Sequence, residues 1–169
     1  MEESEHTYQW ARRNEVMVRA LTNRLYQQER QRIMEWREGA IKATSLIAGS
    51  AAIARIADPM VLSWAGAVVV LGTTLSLVFG FGSKARDAAK RATEWAMLDR
   101  DIHAVGPTEF TAEQVNTWAA RCNEIEAGEP AANALLLQRS YERACAAIGA
   151  QPSVVSGWLS RLKPIIAIP

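Results

Sequence analysis

The sequence predicts an all-α membrane protein, a two-helix transmembrane hairpin with long cytosolic helices before and after it. Three observations predict this. Residues 60–81, MVLSWAGAVVVLGTTLSLVFGF, carry no charged side chain, and as a helix they would extend ~33 Å, enough to cross a hydrocarbon core of about 30 Å. A shorter uncharged run lies just before them, between Lys42 and Arg55, with Asp58-Pro59 as the joint. No β pattern competes, because the strongly β-branched run Val68 to Val70 falls inside the apolar stretch. A helix that is apolar all round is either a buried core helix or a membrane span. A fully soluble bundle with 60–81 at its centre is therefore the competing architecture.

Composition narrows the function classes. The chain has 169 residues and a formal net charge of +1, so no overall field draws it to nucleic acid. Its mean hydropathy is close to zero, the average expected when apolar spans are joined to polar helices. Cys122 and Cys145 lack CxxC spacing, and His6 and His103 stand alone. Both cysteines are expected as small apolar fillers of helix interfaces, with no metal site and no cofactor. Nothing forms a nucleophile elbow, a P-loop or a ligand pair, so an enzyme has no residues to assign roles to. The opening MEESEHTYQWARRNE is acidic and polar rather than a basic region leading into an apolar one, which predicts a cytoplasmic N-terminus.

Four segments follow in order. Residues 1–38 form a cytosolic amphipathic helix, helical from about residue 7, with Trp10, Met17, Leu21, Leu25 and Gln28 as its packed stripe. Arginines and glutamates alternate around that stripe, as in a solvated helix or a coiled-coil contact. Residues 39–82 form the hairpin. Gly39 breaks the polar pattern, the first arm covers about 41–57, and the second covers 60–81. Residues 43–57 would reach only ~22 Å as a helix. Lys42 can snorkel at one end, Trp36 can anchor at the interface, and Arg55 lies near the other end, in reach of Asp58. Pro59 suits the first position of the next helix.

Small residues recur at helical spacing in both arms. Gly72, Ser76 and Gly80 form a ridge on the second, and Ala48 and Ala52 a shorter one on the first. Such ridges let helices approach closely in lipid, either within the hairpin or between subunits. Thr73 and Ser76 give the second arm a weakly polar side that would face a pore if several hairpins met; the bland alternative is that hydroxyls bond their own helix backbone. Arg30, Arg32, Arg37 and Lys42 precede the hairpin, and Lys84, Arg86, Lys90 and Arg91 follow it. The positive-inside rule then sets both termini in the cytoplasm.

Residues 83–150 are read as cytosolic helices. The first resumes after Gly82-Ser83, with Ala85, Ala88, Ala92, Trp95 and Ile102 as a stripe and Asp99 set into it, and stops at Gly106-Pro107. Thr111 and Gln114 make a capping box for a helix over 112–127 that faces inward with Val115, Trp118, Cys122 and Ile125. A last helix over 131–148 presents Ala134, Leu137, Tyr141, Cys145 and Ile148. The tail, 151–169, is apolar but broken by Gly157, Pro164 and Pro169, too interrupted for a third span.

With this order in view, the chain resembles the SLATT family, two-transmembrane effectors that associate with SMODS nucleotidyltransferases and SLOG domains in bacterial conflict systems. The hairpin around Asp58-Pro59, the stretch SKARDAAKRATEWAMLDRDI and the later helix after Pro130 with Tyr141 carry the resemblance. It covers residues 7–148 and departs from the pattern in the short first arm with its Arg55. The resemblance implies an effector in the bacterial inner membrane that forms an oligomeric pore, or otherwise disrupts the bilayer, when a sensor or nucleotide-signal-producing partner activates it. It implies no catalytic residues. A membrane-anchored helical scaffold without a pore is the alternative. A selective cation channel is disfavoured, since Asp58 has Arg55 beside it to offset its field.

Overall fold

The computed structural model describes residues 2–53 and 59–149. Within them every regular element is an α-helix, and no strand occurs. The helices are α1 (Glu2–Ile53), α2 (Pro59–Phe79), α3 (Phe81–Ala104), α4 (Ala112–Ala127) and α5 (Ala134–Ala147). They fall into two compact units, one made of Met1–Glu29 with Ala89–Pro169 and the other of Arg30–Ala88.

In the first unit the core is assembled from Val16 and Ala20 of α1, Trp95, Leu98 and Ile102 of α3, and Val115, Trp118, Cys122 and Ile125 of α4. The stripes expected on α3 and α4 are the buried ones. Trp95 is fully buried, and its indole N–H donates to Glu129 Oε1 at 2.8 Å, so the largest core side chain leaves no polar atom unpaired. The Thr111 capping box is present, with Gln114 N–H bonded to the threonine hydroxyl and Gln114 Oε1 accepting from Thr111 N–H.

Two faces differ from the sequence expectation. On α1 the positions Arg13, Val16, Ala20, Asn23 and Gln27, spaced three and four apart, form one buried face, with Thr22 and Tyr26 buried beside it, while Trp10 and Gln28 are exposed and Met17, Leu21 and Leu25 are only half-buried. The stripe is turned from the expected one because three of its members are polar. Arg13 is buried for a reason: its guanidinium donates to the carbonyls of Ile102 and Val105 at 3.2 Å each. It thereby satisfies orphan carbonyls at the end of α3 while lying 5.3 Å from the Phe110 ring centroid.

On α5 the helix begins at Ala134, not at 131. Asn133 is the N-cap, accepting from the N–H groups of Leu135 and Leu136, and its own N–H donates to Tyr26 Oη at 3.0 Å. Its buried face is Leu136, Ser140, Ala144 and Cys145; of the expected face only Cys145 is buried, and Ala134, Tyr141 and Ile148 are exposed.

In the second unit α1 continues through Gly39 without a break. Gly39 interrupts the charge pattern but not the helix, since a lone glycine costs a helix only about 1 kcal/mol. The partners of α1 fall in number as those of α2 and α3 rise. Gly72 lies against Ser45 and Ile41, Gly82 against Glu38, and Phe81 and Ala85 against Met34. The end of α1 therefore runs antiparallel to α2 and the start of α3. The second arm, expected to run to 81, ends two residues earlier, at Phe79. Gly80 adopts φ +57°, a left-handed conformation that only glycine enters cheaply. Its N–H donates to Ser76 O and its carbonyl accepts from Lys84 N–H, each at 3.0 Å, so one residue closes α2 and opens α3.

Candidate membrane interface

The hairpin surface is apolar to an unusual degree. Of the eighteen large apolar side chains exposed among the described residues, eleven lie between Leu46 and Val78. No charged residue occurs in 43–53 or 59–83. One helical stretch, Leu62–Ala104, contains a window long and apolar enough to cross a membrane, and none of that window is buried. A core helix would hide this surface. An exposed apolar area far beyond a few hundred Å² marks a membrane or partner interface.

Only one candidate span is found among the described residues. The first arm contributes 43–53 to the apolar belt before the described part of α1 ends, a reach of ~16 Å. Arg55 and Asp58 lie outside the described residues, while Pro59 opens α2 as expected. The tail 151–169 also lies outside.

Within the hairpin, the half-buried residues of α2 are Ala65, Val69, Gly72, Ser76 and Phe79, the three-four spacing of one packed face. A Cβ built on Gly72 would sit 2.9 Å from Ser45 Oγ and 3.5 Å from Ile41 Cγ2, so the two arms approach closely at this glycine. Ser76 and Ala48 are half-buried too. Ala52 lies in α1 beyond the last residue whose side chain is described. Gly80 leaves the ridge, because it sits between α2 and α3 as the left-handed residue. Thr73 is exposed, and its hydroxyl donates to its own helix, at 2.9 Å from Val69 O and 3.0 Å from Val70 O. Thr44 and Ser50 do the same to Ala40 O and Leu46 O at 2.9 Å.

At the polar end of the hairpin, Lys42 does not reach out alone. Its ammonium pairs with Glu38 at 2.6 Å. The Glu38 carboxyl in turn fills the notch left by Gly82, in the first turn of α3, where a negative charge is favoured by the helix dipole. Lys84 is half-buried and Arg86 exposed. Arg37 lies over the Phe81 ring at 5.9 Å, and burial lowers its pKa from the ordinary arginine value.

Sequence reasoning overlooked Trp64. It is exposed, as is Trp36. Trp64 sits near the start of α2, eight residues before Gly72, and Trp36 sits about seven residues before the middle of the Ile41–Ser45 stretch that Gly72 meets, so the two levels lie roughly 22 Å apart at helical rise. Tryptophans at two levels flanking an apolar belt are the pattern of membrane interfaces. The signal was legible, since Trp64 lies five residues beyond Pro59, but an apolar stretch read as a block hides its own anchors.

In the other unit the ionised groups hold helices together. Arg19 donates to both carboxyl oxygens of Glu126 and, at 2.9 Å, to Asn123 Oδ1. The hydrogen bond to Glu126 raises its pKa above the ordinary arginine value. Arg24 pairs with the buried Asp99 at 2.9 Å. Both cysteines are free and buried. Burial pushes the Cys122 thiol up to about 11, with Arg19 opposing the shift.

No protein-family model matches the chain, and neither a curated protein nor a solved structure does.

Proposed function

We propose that this protein is a membrane effector of a bacterial conflict or antiphage system. Its helical hairpin lies in the inner membrane with both termini in the cytoplasm, and activated subunits assemble into an oligomeric pore or otherwise disrupt the bilayer. The observation that carries the membrane part is the unburied apolar surface of α2, flanked by Trp64 and Trp36. The pore part rests on the resemblance to the SLATT effectors. In this reading the first arm crosses with the second although it is short, and Lys42, Lys84 and Arg86 stay at the cytoplasmic face. A sensor or nucleotide-signal-producing partner supplies the differential affinity that shifts the hairpins between two states. No catalysis, cofactor or nucleic acid is needed.

A membrane-anchored helical scaffold without a pore is the second reading. It is favoured by Gly72 facing Ser45 of its own chain and by the Thr73 hydroxyl bonding its own backbone. Both features leave α2 without an obvious polar lining. Two measurements separate the readings. Membrane association is tested by alkaline carbonate extraction, in which release into the soluble fraction defeats both. Dye and ion leakage from liposomes bearing the purified protein then divides them: leakage under an activating partner supports the effector, and its absence with partner binding retained supports the scaffold.

A further inference from the structure

Between the first half of α1 and α5, closed at one end by Glu126 of α4, lies an open cavity of about 680 Å³. That volume falls in the range of small-molecule sites, about 300–1,000 Å³. The cavity also accounts for the face of α5 that the sequence marks as apolar but the core does not bury. Ala134, Leu137 and Tyr141 form one wall, and Val18 of α1 forms the other.

The polar groups around it are unevenly supplied with partners. Arg19 is committed to Glu126 and Asn123. Asn23, buried, gives its amide N–H to Glu126 Oε1 at 3.0 Å. Gln138 gives its own to Glu142. Two groups are left over. Thr22 lines the cavity and is 7% exposed, yet its hydroxyl has no hydrogen-bond partner. An unpaired buried hydroxyl calls for an explanation, and rotation about χ1, which threonine alone of the β-branched residues divides between two wells in a helix, would turn it to meet a ligand. Glu15, exposed and one turn before Arg19, lines the same cavity; it feels the Arg19 charge but makes no contact ion pair among the described residues. With Arg19 and Glu126 neutralising each other, the lining keeps one negative charge. The Tyr141 ring, half exposed, offers a π-face that attracts cations.

We infer that this cavity is a binding site for a small amphipathic cation, a protonated amine on an aromatic or alkyl body. The body packs against Leu137 and Val18, and the ammonium lies between Glu15 and Tyr141. The site is separate from the apolar hairpin and does not depend on the membrane reading.

The test uses the full chain in detergent micelles, with protein-free micelles as the blank. Three probes of one shape differ in charge: 2-phenylethylamine, 2-phenylethanol and 3-phenylpropanoate. Titration calorimetry is expected to give saturable binding of the amine, weaker binding of the alcohol and none of the carboxylate. Glu15→Gln should weaken the amine about threefold to fivefold, the worth of one exposed charge pair, and leave the alcohol unchanged. Leu137→Trp, which fills the cavity, should abolish amine binding while helical circular dichroism is retained. Absence of amine binding, equal affinity for the carboxylate, or unchanged amine binding in folded Leu137→Trp would each overturn the assignment.

Discussion

Gly72 and Gly80 are both glycines of the apolar region, yet they answer to different physics. At Gly72 the limit is space: a Cβ meets Ser45 Oγ at 2.9 Å. Gly72→Ala needs only a turn of the serine side chain, whereas Gly72→Leu must push the arms apart, at about 1–3 kcal/mol. Ser45→Ala should rescue the alanine variant and not the leucine one. At Gly80 the limit is the backbone, since φ is +57°. Gly80→Ala is expected to cost about 1–2 kcal/mol whatever surrounds it, and Gly80→Asn less, because asparagine tolerates the left-handed region. Denaturation in mild detergent followed by circular dichroism reads all of these, and equal losses for the alanine and leucine variants at Gly72 would remove the close approach. Cys122 gives a pH prediction. Its folded pKa, about 11, lies above the ordinary 9.0, so the stability tied to its neutral thiol is complete below pH 9 and is lost as pH rises through about 11. At pH 8 about one thiol in a thousand is the reactive thiolate. In a Cys145→Ala background the native protein should resist iodoacetamide, and denaturant should expose one reactive thiol. Rapid native labelling would show that the site opens.

The helices differ in how far their faces could be read, and the difference has a physical cause. The α4 helix was legible to the residue because its cap is a side-chain motif and its inward face is wholly apolar. Thr111→Ala should therefore cost about 1 kcal/mol and lower the thermal midpoint of the first unit; an unchanged midpoint would mean that packing alone fixes the start of α4. The inward stripe of α3 was also legible, including Asp99, because alanines, tryptophan and isoleucine keep the spacing. By contrast, α1 and α5 bury polar residues. Arg13 is inside because the end of α3 needs donors, and Ser140 because its hydroxyl bonds Leu136 O at 2.9 Å. Hydropathy counts both against burial. It then promotes Trp10 on one helix and Tyr141 on the other, which are exposed. Asn133→Ala would separate the two roles at the start of α5, removing the cap but keeping the backbone N–H that meets Tyr26. Its expected loss is near that of Thr111→Ala, whereas Tyr26→Phe, which leaves a part-buried N–H unpaired, is expected to cost about 1–3 kcal/mol.

For the whole molecule the decisive quantity is the number of crossings. The apolar belt, its tryptophan levels and the antiparallel arms were all implicit in residues 36–85. The length of the first arm was not, because helix α1 carries no sequence stop where its charges end. If only α2 crosses, the chain ends lie on opposite sides of the membrane. If the arms cross together, they lie on the same side, and the cations before and after the hairpin keep that side cytoplasmic. A first arm of 43–57 is ~8 Å shorter than the hydrocarbon core. A mismatch of that size costs a fraction of a kcal/mol per Å, met by local thinning and by flanking side chains that snorkel. Lys42 would have to exchange its Glu38 partner for headgroups, which makes Glu38 the residue that tunes the arm. Fusions of a cytoplasm-active and a periplasm-active reporter after residue 149, and of the same pair before residue 2, are expected to report the cytoplasm at both ends. Replacing Ala48 and Gly49 with lysines should then disturb the first arm alone, moving the N-terminal reporter outward or reducing insertion, because charge at the centre of a span costs about 2.5–3.5 kcal/mol per residue. Opposite reporter signals in the unaltered protein would reduce the hairpin to a single anchor, and with it the case for a pore built from both arms.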